Sequence, residues 1–163
     1  MVAFDRQEAL RYLGYRNTEP DTAVADSLAR CAAELQAAVQ PKSVFAAFPL
    51  SHPAENTLEI AGVTIRSENL SRNLKGCEQV YLMAATLGIA ADRLIARASA
   101  VRMSDAVLYQ AAAAAMIETY CDEVNDAIRQ EAESAGLYCR PRFSPGYGDF
   151  DISHQRDLSR LLD

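Results

Sequence analysis

Residues 140–149 (RPRFSPGYGD) concentrate side chains that could bind a small molecule. Two prolines fix φ and two glycines permit positive φ, so the stretch predicts a rigid turn, neither helix nor regular strand, whose backbone amides can hold a ligand. Arg142 offers a planar fork of donors for a carboxylate or phosphate, and Tyr147 offers a flat face for a base or a cation. Turns of this composition are also common surface connections, so a purely connecting segment is the alternative.

Glu118 is the second candidate, within residues 105–135, which contain no proline or glycine and predict one long helix. The five alanines at 111–115 would let another backbone or a flat ligand approach closely, although alanine is also the best helix former. A recessed Glu118 would hold a cation, a ribose hydroxyl or an amine, because a buried charge must be paired. Spacing alone favours the alternative, a solvated stripe that continues through Asp122 and Arg129.

The cysteines offer no metal site by their spacing. Four are present, far apart and without a C-x-x-C pair, and the chain has only two histidines, His52 and His154. We expect reduced and mostly buried thiols that behave as small hydrophobes, and no metal ligands. Spacing neither supports nor excludes a Cys–His nucleophilic pair.

Composition narrows the class of partner. The chain has 163 residues, half of them hydrophobic, which predicts one domain with its own core over residues 1–163. The formal net charge of -6 and the absence of a Lys/Arg run argue against nucleic acid and against an anionic membrane surface. No stretch approaches eighteen apolar residues and no secretory leader is recognisable, so we expect a cytoplasmic protein that binds a small molecule or another protein.

Helices must position these side chains. Short helical patterns cover residues 5–13, ending at Gly14, and 67–74, and a longer one begins with Thr18 as its cap and runs to about residue 40. Further helices are predicted at 89–98, from a Ser104 cap to Gly136, and within 155–162.

Strands are predicted between them. Residues 42–50 form an apolar run, and 57–60 and 63–66 alternate around Ala61-Gly62 as a hairpin or a kinked strand. Residues 79–86 are the most continuous apolar run, which suits a central strand.

Three ordered blocks together resemble one known family. The first comprises residues 10–15 (LRYLGY) with Glu19-Pro20-Asp21, the second residues 70–88 with LKGC and AATLG, and the third Glu118, the R-x-x-x-G-Y element at 142–147 and residues 155–162. The chain resembles the activation domain of cobalamin-dependent methionine synthase, and more closely the free-standing activation proteins of that family. The match covers most of the chain.

The resemblance implies an α+β fold in which helices, one of them long and alanine-rich, flank a twisted antiparallel sheet. It implies a protein that binds S-adenosylmethionine and presents the methyl group to an oxidised cobalamin on a partner, either a methionine synthase or another corrinoid protein, with a flavodoxin or ferredoxin as electron donor. Arg142 would take the ligand carboxylate, the backbone at Ser144 and Gly146 would hold the ligand, and Tyr147 would line its adenosyl or sulfonium side. Glu118 would be the acidic contact from the helix. No catalytic residue is required, because the chemistry belongs to the corrinoid.

Two departures from the family bear on these expectations. Fused members carry an N-terminal Asp-Trp-Thr-Pro-Phe-type segment whose aspartate contacts the ligand; this chain has no tryptophan, and Asp149 or Asp151 is the expected substitute. Family members also continue with strands beyond the position of Asp163, which predicts either a truncated or shortened domain or a sheet that is completed differently. A module that has lost its ligand and only docks on a corrinoid protein is the alternative function. The absence of a strand-loop-helix glycine signature argues against an independent methyltransferase.

Overall fold

The computed structural model describes residues 2–16 and 18–163. The helices are α1 (Arg6–Tyr12), α2 (Thr22–Ala38), α3 (Glu68–Asn73), α4 (Ile89–Val101), α5 (Met103–Ser134) and α6 (His154–Arg160). The strands are β1 (Lys42–Ala54), β2 (Thr57–Ile60), β3 (Val63–Arg66) and β4 (Gln79–Thr86), in the sheet order β3-β2-β1-β4. The pairs β1-β2 and β2-β3 are antiparallel. The predicted α+β class with an antiparallel sheet is confirmed.

The chain divides into two compact units. The first unit comprises the segment up to Ser43 together with Ala85–Val124, and the second comprises Val44–Ala84 together with Asn125–Asp163. Each unit has its own cluster of buried apolar side chains. The prediction of one domain over the whole chain stays a prediction.

Helices build the core of the first unit. Leu28, Cys31 and Leu35 recur at helical spacing on α2 and are almost fully buried, so one stripe of that helix faces the core. On α5, Ala112 and Ala115 have no exposed surface. Part of the alanine run therefore serves close packing in the core.

The second unit contains the hairpin that the sequence predicts. Strands β2 and β3 pair in register Ile60↔Val63, and both turn residues have positive φ, 47° at Ala61 and 83° at Gly62. Two positive φ values match the right-handed twist of the flanking strands, which is why a glycine stands in this turn. The hairpin is confirmed, and Leu58 and Ile65 from its inner face are fully buried.

Strand β4 corrects the prediction for the sheet. It ends the strand order beside β1, so the predicted central position is wrong. A continuous apolar run reports burial of the two faces of a strand, and it carries no information on how many strands pair with its edges.

Two predicted helix caps are also wrong. Helix α2 begins at Thr22, because the side chain of Asp21, not that of Thr18, accepts from the amide of Val24 at 2.8 Å. Helix α5 begins one residue before Ser104, because α4 extends to Val101 and the carbonyl of Arg102 already accepts the first α5 bonds.

The end of α5 is as predicted. The amide of Leu137 donates to the carbonyl of Ala132 at 2.9 Å, and the amide of Gly136 donates to Glu133 at 3.0 Å. Gly136 has φ of 76°, the left-handed conformation that this pair of hydrogen bonds requires. The chain leaves the helix there and enters the segment that leads to Arg142.

The thiols are less protected than the sequence suggested. None of the four cysteines forms a disulfide, only Cys31 is buried, and Cys139 is exposed because it lies in the segment after α5. Within residues 2–16 and 18–163, no three His, Cys, Asp or Glu side chains group as metal ligands would. In the same residues, no helix combines the length and the apolar character needed to cross a membrane.

A polar network joins α2 to α5 in the first unit. The hydroxyl of Tyr109, whose side chain is 5 % exposed, donates to the carboxylate of Glu34. Arg30 bonds to Asp105 at 2.9 Å and to Glu34 at 3.4 Å. Burial, and then the hydrogen bond to Glu34, raise the pKa of Tyr109 to about 12.

This pKa predicts a loss of stability in alkali. As the pH rises, Tyr109 loses its proton first in the unfolded chain, near the ordinary pKa of 10. The contribution of protonated Tyr109 to the free energy of unfolding is therefore complete below pH 10 and is lost as the pH rises towards 12. The upper limit of the loss is about 3 kcal/mol. Urea unfolding at pH 8 to 11.5 should show a steeper decline for the wild type than for Tyr109→Phe. Tyr138→Phe, at an exposed position, is the matched control, and equal slopes for all three proteins contradict the prediction.

Candidate ligand-binding regions

Residues 142–149 form a closed turn in the second unit, which we call the binding loop. The amide of Gly146 donates to the carbonyl of Phe150 at 2.7 Å, and the amide of Tyr147 donates to Ser144 at 3.1 Å. Gly146 and Gly148 both have positive φ, 91° and 59°. These bonds and angles make the loop neither helix nor strand, as its prolines and glycines predict.

Asp149 fixes this loop to α3. Its Oδ2 accepts from the amide of Glu68 at 2.7 Å, and its Oδ1 accepts from the amide of Asn69 at 3.1 Å and from the hydroxyl of Ser67. Ser67 itself is buried and accepts from the amide of Leu70 at 3.0 Å. The hydrogen bond from the Ser67 hydroxyl, reinforced by those from the two amides, holds the pKa of Asp149 below its ordinary value.

Aromatic contacts support the loop from within the second unit. Phe150 is 3 % exposed and belongs to the apolar cluster of that unit. The ring of Phe143 lies 6.3 Å from that of Phe150 and 5.3 Å, edge to face, from that of Tyr147. The loop is therefore held at its aspartate and through its aromatic rings.

Four of the predicted ligand contacts lie together in the binding loop. Arg142, Ser144, Gly146 and Tyr147 are all exposed, and 69 % of the Tyr147 surface is accessible. The amide of Gly146 is already bonded to Phe150, so the backbone group of Gly146 that can face a ligand in this conformation is its carbonyl. Their contact with a ligand stays a prediction.

The substitution of Asp149 or Asp151 for the family's ligand-binding aspartate is not supported by their contacts. The carboxylate of Asp149 accepts from the first turn of α3, and that of Asp151 accepts from the amide of Ser153 at 2.7 Å, beside α6. Both carboxylates thus serve backbone amides of this chain. No local sequence pattern reveals the contact between Asp149 and α3, because Asp149 follows Asn69 by 80 residues in the sequence.

A cleft of about 270 Å³ opens in the first unit. It is lined by Ala85, Thr86, Leu87, Gly88, Ala91, Asp92, Ile95, Ala113, Ala114 and Ile117. Gly88 has φ of 86°, and a Cβ there would stand 3.1 Å from the carbonyl oxygen of Gln40, so only glycine fits the start of α4. Two alanines of the run at 111–115 therefore border an open space.

Glu118 lies on α5 in the first unit, one helical turn after Ala114 and directly after Ile117. Its side chain is exposed, as are those of Asp122 and Arg129, which agrees with a solvated stripe. Glu118 is not among the residues that line the cleft, and its contact with a ligand there stays a prediction. Its convergence with the binding loop, which belongs to the second unit, stays a prediction.

Comparison with known proteins adds no family assignment. No protein-family model matches the chain, and no curated protein matches it at a significant level. What the protein does is therefore inferred from the sequence resemblance and from the contacts described above.

Gly148 provides a test of the loop conformation. A Cβ at Gly148 would combine positive φ with an approach of 2.6 Å to Nδ2 of Asn69. Gly76 has φ of 78° with no atom near its virtual Cβ, so Gly76→Ala isolates the conformational cost, about 1 to 2 kcal/mol. Gly148→Ala should lower the free energy of unfolding by about 1 kcal/mol more than Gly76→Ala, because of the added crowding.

Chemical denaturation of the two variants measures this difference. In an Asn69→Ala background the excess should disappear, since the crowded atoms are gone. Equal effects of Gly148→Ala and Gly76→Ala in the wild-type background would show that the loop does not sit against Asn69.

Proposed function

We propose that this protein binds S-adenosylmethionine and serves as an accessory subunit in the reductive remethylation of the cobalamin of a methionine synthase or a related corrinoid methyltransferase. The observation that carries the proposal is the binding loop, which presents Arg142 and Tyr147 from a backbone fixed at Asp149. A loop ordered before binding loses little conformational entropy when it takes a ligand. The sequence resemblance supplies the identity of the ligand.

The chemistry of S-adenosylmethionine suits these side chains. Its carboxylate matches the guanidinium of Arg142, which can donate two parallel hydrogen bonds. Its sulfonium is attracted to an aromatic face such as that of Tyr147, whose ring stands exposed on Phe143. One short segment thus offers partners for both charged ends of the amino-acid portion.

The role of Glu118 in the proposal rests on the sequence resemblance alone. Glu118 lies on α5 in the first unit, where its exposed carboxylate would offer an acceptor to ribose hydroxyls or to an amine.

The protein has no bond to make or break in this scheme. The partner would carry the oxidised cobalamin, a flavodoxin- or ferredoxin-type donor would supply the electron that reduces its cobalt, and S-adenosylmethionine would give its methyl group to that cobalt and leave as S-adenosylhomocysteine. The chain binds and orients the methyl donor. The chain therefore needs no acid, base or nucleophile of its own in this scheme.

Arg142→Ala should weaken the binding of S-adenosylmethionine ten- to hundredfold, because one hydrogen-bonded contact to a charged group contributes about 1.5 to 3 kcal/mol. Titration calorimetry on the purified protein measures the change. Arg140→Ala is the matched control, since Arg140 is an exposed arginine two residues away, and it should bind as the wild type does.

The same titrations can contradict the proposal. Wild-type protein that gives no heat and no thermal shift with millimolar S-adenosylmethionine does not bind it. An equal loss of affinity in the Arg140 and Arg142 variants would show that Arg142 contributes only positive charge and makes no specific contact with the ligand.

A second function, a module that docks on a corrinoid protein without a ligand, is favoured by one observation. Two apolar side chains of the loop region, Tyr147 and Ile152, are 69 % and 58 % exposed, and Ile152 lies against Gly146. Exposed aromatic and aliphatic groups on a fixed loop suit a protein interface.

Co-purification with the methionine synthase of the same cell tests docking independently of the ligand. We expect capture by the wild type and weaker capture by Tyr147→Ala, with Tyr138→Ala as an exposed tyrosine control. Failure of the wild type to capture the synthase, with and without S-adenosylmethionine, would contradict methionine synthase as the partner in either function.

A further inference from the structure

We infer that Asp149 is a positioning residue of the ligand site: together with Ser67 it latches the binding loop to α3 and thereby sets where Arg142 and Tyr147 stand. This inference rests on the proposed function for its ligand. It differs from the expectation that an aspartate of this region touches the ligand, because the structure commits the Asp149 carboxylate to α3.

The latch is a relay of hydrogen bonds. Ser67 accepts from the amide of Leu70 with its oxygen and donates its hydroxyl proton to Asp149. Asp149 accepts from the two preceding amides of the same turn, those of Glu68 and Asn69. All three amides at the start of α3 are therefore satisfied by two side chains, one of which comes from the binding loop.

The relay also reaches the hairpin. The amide of Ser67 donates to the carbonyl of Asn56 at 2.9 Å, directly before β2. A loop residue, a helix start and a strand start thus share one hydrogen-bonded group. The latch cannot open without leaving the buried Ser67 and the first amides of α3 to find other partners.

Shape makes the latched position specific. Gly148 lies so close to Asn69 that a Cβ would meet its Nδ2 at 2.6 Å, and a Cβ at Gly146 would stand 3.1 Å from Cδ1 of Ile152. The residues on either side of Tyr147 therefore lie close to a side chain of α3 and to one of the segment before α6. Releasing Asp149 removes the polar bonds that hold this close approach, and Arg142 and Tyr147 lose their fixed positions.

An ordinary helix cap would give some of the same contacts, so the test must report on the loop itself. Hydrogen exchange followed by NMR reads the amides of Gly146, Tyr147 and Phe150, whose hydrogen bonds close the binding loop and join it to Phe150; we call these three the loop amides. In Asp149→Asn we expect these amides to exchange at least about tenfold faster, because the neutral amide group cannot accept all three bonds. In the same variant we expect affinity for S-adenosylmethionine to fall about tenfold.

Two further variants make the result specific to the latch. Ser67→Ala removes the hydroxyl that bridges to Asp149 and should reproduce both effects. Ser67→Thr keeps a hydroxyl and should show the exchange rates and the affinity of the wild type. Asp126→Asn removes a carboxylate of a surface pair with Arg129 on α5 and should change neither readout.

The outcomes separate this inference from the proposed function. Loop amides that exchange at the wild-type rate in Asp149→Asn overturn the latch, and so does unchanged affinity in a variant whose loop amides exchange faster. Wild-type protein that binds no S-adenosylmethionine contradicts the proposed function, whatever the exchange rates show. Should Asp149→Asn fail to fold, Ser67→Ala gives the same comparison.

Discussion

The structure of the second unit depends on one contact between residues far apart in the chain, the carboxylate of Asp149 on the first turn of α3. The carboxylate faces the positive end of the helix backbone and two amides that have no partner within the helix. Hydrogen bonds to a charged acceptor are stronger than neutral ones, so this contact can hold a loop that has no regular structure. Burial of Phe150, the next residue, fixes the chain on the other side of the carboxylate.

The path of the segment between α5 and the loop is set at both ends. Gly136 ends α5 with two hydrogen bonds back into its last turn, and Asp149 ends the binding loop on α3. Between them the carbonyl of Pro141 accepts from the side chain of Asn73 at 3.4 Å. Three attachments over fourteen residues constrain the backbone that carries Arg142 and Tyr147, while both side chains stay exposed. That combination is what a ligand site on a loop requires.

Local sequence signals predicted the parts of this fold that depend on neighbours in the chain. The Ala61-Gly62 turn and the Gly136 helix end depend on φ angles that a few adjacent residues decide, and both are confirmed. The predicted N-cap of α2 was wrong because a second residue that can cap a helix, Asp21, follows Thr18 within a few residues. The position of β4 in the sheet and the Ser67–Asp149 contact could not be read from the sequence, because each depends on which distant segments meet.

The alanine run of α5 shows how far composition alone can take a prediction about a site. Five successive residues of a helix point around its whole circumference, so no run of this length can belong entirely to one surface. Burial divides it: Ala112 and Ala115 lie in the core, whereas Ala113 and Ala114 line the cleft. Glu118 follows the cleft-lining Ala114 by four residues and the buried Ala115 by three, so it lies between the two surfaces and is exposed to solvent. The helical phase, set by the packing of Ala112, Ala115 and Met116, thus explains why this acid is exposed, and its contact with a ligand in the cleft stays a prediction.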